Sequence, residues 1–285
     1  MAGDIANQEK PAADGRARRG RTGRLSADEL ARGLETAVIG RRIYVFDLVI
    51  STNDVLWELA DRGAEEGTAV FAEEQTRGRG RLGRSWWSPR GRGIWMSVLL
   101  RPPLREESIP MTTILGALAA SDAIHAVTML PVAVRWPNDV LVEGRKAAGV
   151  LAEARQSTKG RELVLGIGMN VNVSRSEMPP EIADAATSLS EATGEPVDRT
   201  ELARCLLAEL NRWYERQLAG QIEEINLRWR ALSATLGRNI VLEEHGRRYE
   251  GTVIDVDASL GLALRLGRGT IRHFRGEHVT VVKHG

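Results

Sequence analysis

Gln75-Thr-Arg-Gly-Arg-Gly-Arg-Leu-Gly-Arg84, followed directly by Ser85-Trp-Trp-Ser-Pro89, is the stretch around which the chain is organised. Four arginines (Arg77, Arg79, Arg81, Arg84) alternate with three glycines, and two tryptophans follow. Strand-like apolar runs flank it at residues 68–71 and 94–100. Glycine lets the backbone come close to a ligand and present its N–H groups. Arginine adds a rigid fork of donors that matches phosphate oxygens. The combination predicts a loop that is mobile when empty and clamps a polyanion when filled. Gly78-x-Gly80-x-x-Gly83 also spells a dinucleotide fingerprint, which must open a helix after a strand. Pro89 opposes a helix there and no acidic residue stands at the required distance, so that reading is rejected. An arginine-glycine segment for nucleic acid and a plain solvated loop both stay open on this stretch alone.

The bulk composition narrows the choice. A chain of 285 residues has room for one sizeable domain and a smaller companion. Formal net charge is only +1, so basic character is local, confined to the loop and to residues 16–24. The single cysteine, Cys205, excludes an internal disulfide and a cysteine-based metal cluster. It sits in an apolar run and reads as a buried helix residue, not a nucleophile. No apolar run looks long enough for a membrane span and no signal-like core is visible, so a cytoplasmic protein is expected.

Taken in order, residues 1–24 are polar, basic and expected to be disordered. Ser26-x-x-Glu29 reads as a capping box opening a helix to about Thr36. Residues 43–50 form a strand, and Ser51-Thr-Asn-Asp54 caps a helix reaching Ala60. Strands are predicted at 68–73 and 93–101, and a buried helix at 110–129. A strand at 132–135 runs into the turn Trp136-Pro-Asn-Asp139, and antiparallel strands at 140–143, 146–154 and 162–171 follow, with a turn at Thr158-Lys-Gly160. Helices are predicted at 199–218 and 222–232. The last fifty or so residues read as short strands of a small SH3-like barrel. The expected architecture is α+β, a mixed and mainly antiparallel sheet with helices over residues 25–235, then an all-β unit over 236–285.

Polar clusters recur at strand ends: Ser51-Thr52-Asn53, Gln75 with the arginine loop, Arg135-Trp-Pro-Asn-Asp139 with Lys146, and Gly166-x-Gly168-x-Asn170. Each has a bland reading taken singly: a helix cap, a tight turn, a solvated hairpin lysine, a weakened strand. Together, and in this order, they resemble the biotin protein ligases, also called biotin–[acetyl-CoA-carboxylase] ligases. The matching motifs are Ser51-Thr-Asn53, Gln75-x-x-Gly-Arg-Gly-Arg-x-Gly-Arg84-x-Trp86, Arg135-Trp-Pro-Asn-Asp139, Arg145-Lys146-x-x-Gly149 and Gly166-x-Gly-x-Asn170-x-Asn172. The resemblance runs from about Gly40 to Val282. It lacks the N-terminal winged helix by which some members bind DNA, so a monofunctional ligase without specific DNA binding is expected.

The resemblance implies a catalytic domain of the class II synthetase-like type and a two-step reaction. Biotin and MgATP would give biotinyl-5'-adenylate, and the biotinyl group would pass to a lysine of a biotin carboxyl carrier domain from acetyl-CoA carboxylase or a related carboxylase. Biotin would be held by Ser51, Thr52, Asn53, Gln75, Arg79, Lys146 and Gly149. Of these, Ser51, Thr52, Asn53 and Gln75 offer donors and acceptors for a neutral ureido ring without burying a charge beside it. The nucleotide would be held by Arg79, Arg81, Arg84, Trp86, Asn138, Lys146, Asn170 and Arg199. Lys146, Arg79, Arg81 and Asp139 would carry catalysis, Lys146 as the point charge between carboxylate and α-phosphate. Asp139 is also the candidate for holding Mg²⁺. An aromatic that stacks on adenine in some members would fall near Ala186, so that contact is absent or comes from elsewhere. A homodimer is compatible with the resemblance. Two alternatives remain: a lipoate-type acyl ligase or transferase on the same fold, and a basic-loop nucleic-acid binder.

Overall fold

A computed structural model describes residues 23–102, 108–157, 160–276 and 279–284. Most of the expected basic arm, residues 1–22, lies outside these, as do Thr158 and Lys159 of the expected turn. The first sheet has eight strands: β1 (Ile43–Val49), β2 (Ala69–Arg79), β3 (Ser85–Ser88), β4 (Gly93–Leu100), β5 (Val132–Arg135), β6 (Asp139–Val142), β7 (Arg145–Ser157) and β8 (Gly160–Asn170). Their spatial order is β1-β2-β4-β8-β7-β6-β5, with β3 paired to β2. Only β1 and β2 run parallel, because α2 (Thr52–Asp61) crosses between them; all other pairs are antiparallel.

One face of this sheet is sealed by α3 (Ser108–Thr128) and α6 (Arg199–Leu218), between which the chain forms the short helices α4 (Pro180–Ala183) and α5 (Leu189–Thr193). Ala117, Leu118, Ala119, Ala120, Ala123 and Ile124 of α3 are fully buried. Small residues bring its axis close to the sheet: a Cβ on Gly116 would stand 2.8 Å from Val150. The expected absence of a membrane-length apolar run needs correcting here. Residues Pro110–Thr128 are long and apolar enough by composition, but 67% of that window is buried inside the protein. It is a core helix.

The second sheet holds β9 (Asn239–Glu244), β10 (Arg247–Asp257), β11 (Gly261–Leu266), β12 (Ile271–Phe274) and β13 (Val279–His284), ordered β12-β11-β10-β9-β13 and antiparallel throughout. This agrees with an SH3-like barrel. Helix α7 (Ile222–Leu232) bridges the two sheets, and Ile225 and Trp229 join their apolar interiors into one cluster.

Two local expectations fail for clear reasons. Helix α1 covers only Ala27–Ala31, and Ser26 caps it without a side-chain hydrogen bond, so the expected capping box does not form. Its stability comes from burial of Leu30, not from local chemistry. The arginine stretch is not an irregular loop either. Strand β2 continues through Arg79 and pairs with β3, with Gly78 opposite Trp86, so the segment is a hairpin whose tip turns at Leu82, φ 56°. Gly78 is required there, since a Cβ would lie 2.5 Å from the Trp86 carbonyl.

Candidate active site

On the face opposite α3, the register of β4, β8 and β7 builds a floor without side chains. Gly168 of β8 pairs with Gly149 of β7, and Gly166 pairs with Ser97 of β4 on one side and Leu151 on the other. The bare strands are used at once. A Cβ on Gly168 would stand 2.4 Å from Trp86 Nε1, one on Gly149 2.8 Å from the Trp86 ring, and one on Gly166 2.6 Å from Asn53 Oδ1. The hairpin thus lays Trp86 into a glycine trough, and α2 lowers Asn53 onto its other end. Above the trough opens a cavity of about 1120 Å³, at the upper end of ordinary ligand pockets.

At the α2 end the polar groups form one network. Gln75 Oε1 accepts from the Thr52 backbone N–H at 2.9 Å and from Thr52 Oγ1 at 3.2 Å, while Gln75 Nε2 donates to Ser88 Oγ at 2.8 Å. Ser97 Oγ lies 2.7 Å from Thr52 Oγ1 and 2.5 Å from Asn53 Oδ1. Ser51, Thr52 and Asn53 are all buried, and none carries a charge. The side chains presented here are polar, uncharged and pre-organised, with the Arg79 ion pairs to Asp54 and Glu153 beside them.

The other end is charged. Lys146 Nζ sits 2.5 Å from Asp139 Oδ1 and 5.0 Å from the centre of the Trp86 ring. Arg135 donates to the second oxygen of Asp139 at 2.8 Å. Burial works to raise the Asp139 pKa, but the Lys146 charge and hydrogen bonds from Lys146 and Arg135 outweigh it. The carboxyl is therefore held below its ordinary range. Asn138 is fixed from both sides of its residue: its amide donates to the Val150 carbonyl at 2.7 Å, and its own carbonyl accepts from Val150 N–H. Asn170 donates to the Thr187 carbonyl at 3.1 Å.

The hairpin arginines divide in the same way. Arg79 is gripped by Asp54 at 2.6 Å and Glu153 at 3.1 Å. Burial would lower its pKa, but these two carboxylates win and raise it, so the group stays cationic. Arg81 reaches across to the barrel, donating to the Val279 carbonyl at 3.1 Å, to the Gly276 carbonyl, and to Asn138 Oδ1 at 3.3 Å. These contacts dock the hairpin against α2, β7 and the barrel. Trp86 Nε1 is buried with no hydrogen-bond partner among the described residues, a donor that a ligand acceptor would satisfy.

Ser51, Thr52, Asn53, Gln75, Arg79, Arg81, Arg84, Trp86, Asn138, Asp139, Lys146, Gly149 and Asn170 all line the one cavity. Arg199 does not. It is 1% exposed, donates to the Gly93 carbonyl and pairs with buried Glu73 at 2.8 Å, so it is a structural ion pair behind the sheet and not a nucleotide ligand. The Mg²⁺ expectation for Asp139 is corrected on similar grounds. Its two oxygens are taken by Lys146 and Arg135, and among the described residues no group of three His, Cys, Asp or Glu side chains could hold a metal. With both oxygens of Asp139 engaged, the described residues do not make a resident metal site.

Several contributors had no signal in the sequence. The segment 171–198 supplies Pro179, Ile182, Ala185 and Ala186 to the cavity wall, held against β7 by hydrogen bonds from Lys146 N–H to Ala185 and from Thr187 N–H to Lys146. Trp87 packs there with Val173, Met178 and Ala186. The barrel adds Val279, Thr280 and Val281. Cys205, by contrast, is spent on structure: burial, with Glu209, Glu201 and Asp122 nearby, pushes its thiol up to about 11.

This fold and this site belong together in one known class: the chain is a member of the biotin/lipoate A/B protein ligase family, whose sequence pattern matches residues 45–170. It is 35% identical over 248 residues to the bifunctional ligase/repressor BirA of Bacillus subtilis, covering 87% of this chain and 76% of that one. The biotin–[acetyl-CoA-carboxylase] ligase of Mycobacterium tuberculosis is 33% identical over 257 residues, covering 84% of this chain and 91% of that one. Among solved structures, the biotin protein ligase from Aquifex aeolicus in complex with biotin and ATP superposes with a TM-score of 0.75. It is 30% identical and covers 86% of this chain and 100% of its own.

Proposed function

We propose that the protein is an ATP-dependent biotin protein ligase that makes biotinyl-5'-adenylate and transfers the biotinyl group to a lysine of a biotin carboxyl carrier domain, in the cytoplasm. The observation that carries this reading is the polarity of the cavity. A neutral hydrogen-bonding end (Thr52, Asn53, Gln75) and a cationic end (Lys146, Arg81) face one another along a glycine trough. A ureido ring suits the first end and a carboxylate meeting a phosphate suits the second.

In the first step a biotin carboxylate oxygen attacks the α-phosphorus and pyrophosphate leaves. Both reactants are anions, so the protein's task is alignment and charge neutralisation. Lys146 does this at the carboxylate–phosphate junction, and Asp139 holds its ammonium in place. Arg79, Arg81 and Arg84 take the phosphates; for Arg79 and Arg81 that means exchanging their present carboxylate and carbonyl partners for them. In the second step the carrier lysine attacks the acyl carbon and AMP leaves. The mixed anhydride is open to water, and the hairpin with Trp86 covers it until the amine arrives. The acceptor is a carrier domain of acetyl-CoA carboxylase or a related carboxylase.

The family also includes lipoate enzymes, and the Thr52–Asn53–Gln75 network is what favours biotin over a lipoyl chain, which offers nothing to those groups. Mass spectrometry of a carrier domain incubated with the protein, MgATP and either biotin or lipoate tests the reading. A single addition with biotin alone is expected; addition of lipoate alone refutes it.

A further inference from the structure

We infer that Glu153, a residue in none of the sets named for this site, is a positioning residue that sets which face of Asn53 biotin meets; the inference rests on the ligase reading. Glu153 lies on β7, four residues beyond Gly149, and its Oε2 receives three donors: Asn53 Nδ2 at 2.8 Å, Arg79 Nη2 at 3.1 Å and Trp57 Nε1 at 3.4 Å. A carboxylate only accepts, so the Asn53 amide must turn its NH₂ toward Glu153. Its carbonyl then faces the other way, 2.5 Å from Ser97 Oγ and directly over Gly166, where it shuts out even a Cβ. Asn53 and Gly166 both line the cavity. The consequence is a fixed acceptor at the neutral end of the site, the type of group a ureido N–H requires.

Asparagine alone would not guarantee this. Ser97 Oγ can accept as well as donate, so without Glu153 the flipped amide is equally served there and would present a donor to a donor. The site would then bind a cyclic urea less well while still fitting its shape. Glu153 is also tied to the hairpin root through Arg79, which Asp54 shares. Among the described residues Asp54 makes no other side-chain contact with this network, so the two branches separate cleanly by mutation.

The experiment is calorimetric titration of biotin into the full chain, with pyrophosphate-exchange kinetics alongside. Glu153→Ala is expected to weaken biotin binding about 10-fold, the scale of one hydrogen bond to a charged group. KM for ATP and kcat at saturating biotin should stay within about twofold. Glu153→Gln keeps an acceptor for Asn53 and should restore binding to within about threefold, which also covers the case in which the alanine variant folds poorly. Asp54→Ala removes only the other Arg79 partner and should leave biotin affinity unchanged. In an Asn53→Ala background, adding Glu153→Ala should have no further effect. The inference is overturned if Glu153→Ala binds biotin normally, if its effect persists without Asn53, or if Asp54→Ala reproduces it. A wild-type chain that binds no biotin at all would instead sink the ligase reading, so the two failures are told apart.

Discussion

Replacing Lys146 by alanine removes the cation at the centre of the charged end, and its two effects can be worked separately. For the fold, the loss is modest. Lys146 is 28% exposed and Asp139 keeps its partner Arg135, so the carboxylate is not left alone in the interior. That places the cost between an exposed pair and a severed buried one, about 1–2 kcal/mol, or a fall of about 2–8 °C in Tm for a chain of this size. For the chemistry, the loss is large. No other cation replaces it at the carboxylate–phosphate junction, because Arg135 is held on the far oxygen of Asp139 and the hairpin arginines are assigned to the phosphates themselves.

Removing one preorganised stabilising group in a water-poor site costs about 10²–10³ in rate. The assay is biotin-dependent exchange of pyrophosphate into ATP, read beside a thermal melt. Lys146→Ala should melt within a few degrees of wild type and exchange at least about 100-fold more slowly. Lys146→Arg should rescue little, since a planar guanidinium cannot replace an ammonium wedged 2.5 Å from Asp139 and beneath Trp86. A folded Lys146→Ala enzyme that exchanges within about threefold of wild type would refute the assignment, because the electrostatic argument allows no such outcome.

Asp139 predicts a pH signature. Its folded pKa lies below the ordinary carboxylate value of about 3.9, so its ionised form stabilises the fold above that pH and the benefit is lost as pH falls through the folded pKa. Wild type should therefore out-melt Asp139→Asn at pH 7, and the gap should close below about pH 4; a gap that is constant with pH contradicts this. Gly168→Ala places a methyl where Trp86 Nε1 stands, so Trp86 must leave the trough. The expected cost is about 1–3 kcal/mol of stability with a far larger loss of adenylate formation, and wild-type exchange rates would show the trough is not used. Arg199→Met strands Glu73 in the interior and should cost about 3–5 kcal/mol, read by urea unfolding, yet KM for ATP in the surviving folded fraction should not move. A selective rise in that KM would return Arg199 to the nucleotide site.

How much of this was legible in the sequence depends on the range of the forces involved. The last fifty or so residues are legible as short strands, and helices α6 and α7 follow from local periodicity, with their ends where expected. So do the motif residues, since glycine, arginine and tryptophan in that order have few structural uses. Arg199 misled because a buried arginine and a ligand-binding one look the same in sequence; only the presence of Glu73 across the sheet separates them. The capping box at Ser26 misled because a five-residue helix is decided by what it packs on, not by its cap. Glu153, the barrel carbonyls that hold Arg81, and the Pro179, Ile182 and Ala185 part of the wall could not be read, for their roles depend on contacts between segments distant in the chain; Ala186 is placed only through the resemblance.

The hairpin, finally, is better understood as an exchange of partners than as a loose strap. Arg79 holds two carboxylates and Arg81 holds two barrel carbonyls. Such contacts cost little to keep and, being partly solvated, cost little to give up. Phosphates arriving at the charged end offer the same guanidinium groups a stronger, bidentate match. The glycine alternation then has a second purpose beyond close approach: it lets the hairpin tip pass from one set of acceptors to the other without paying to strain side-chain-bearing backbone. On the ligase reading, binding of the nucleotide and release of the tip from the barrel carbonyls would be one event, because the same Arg81 guanidinium serves both.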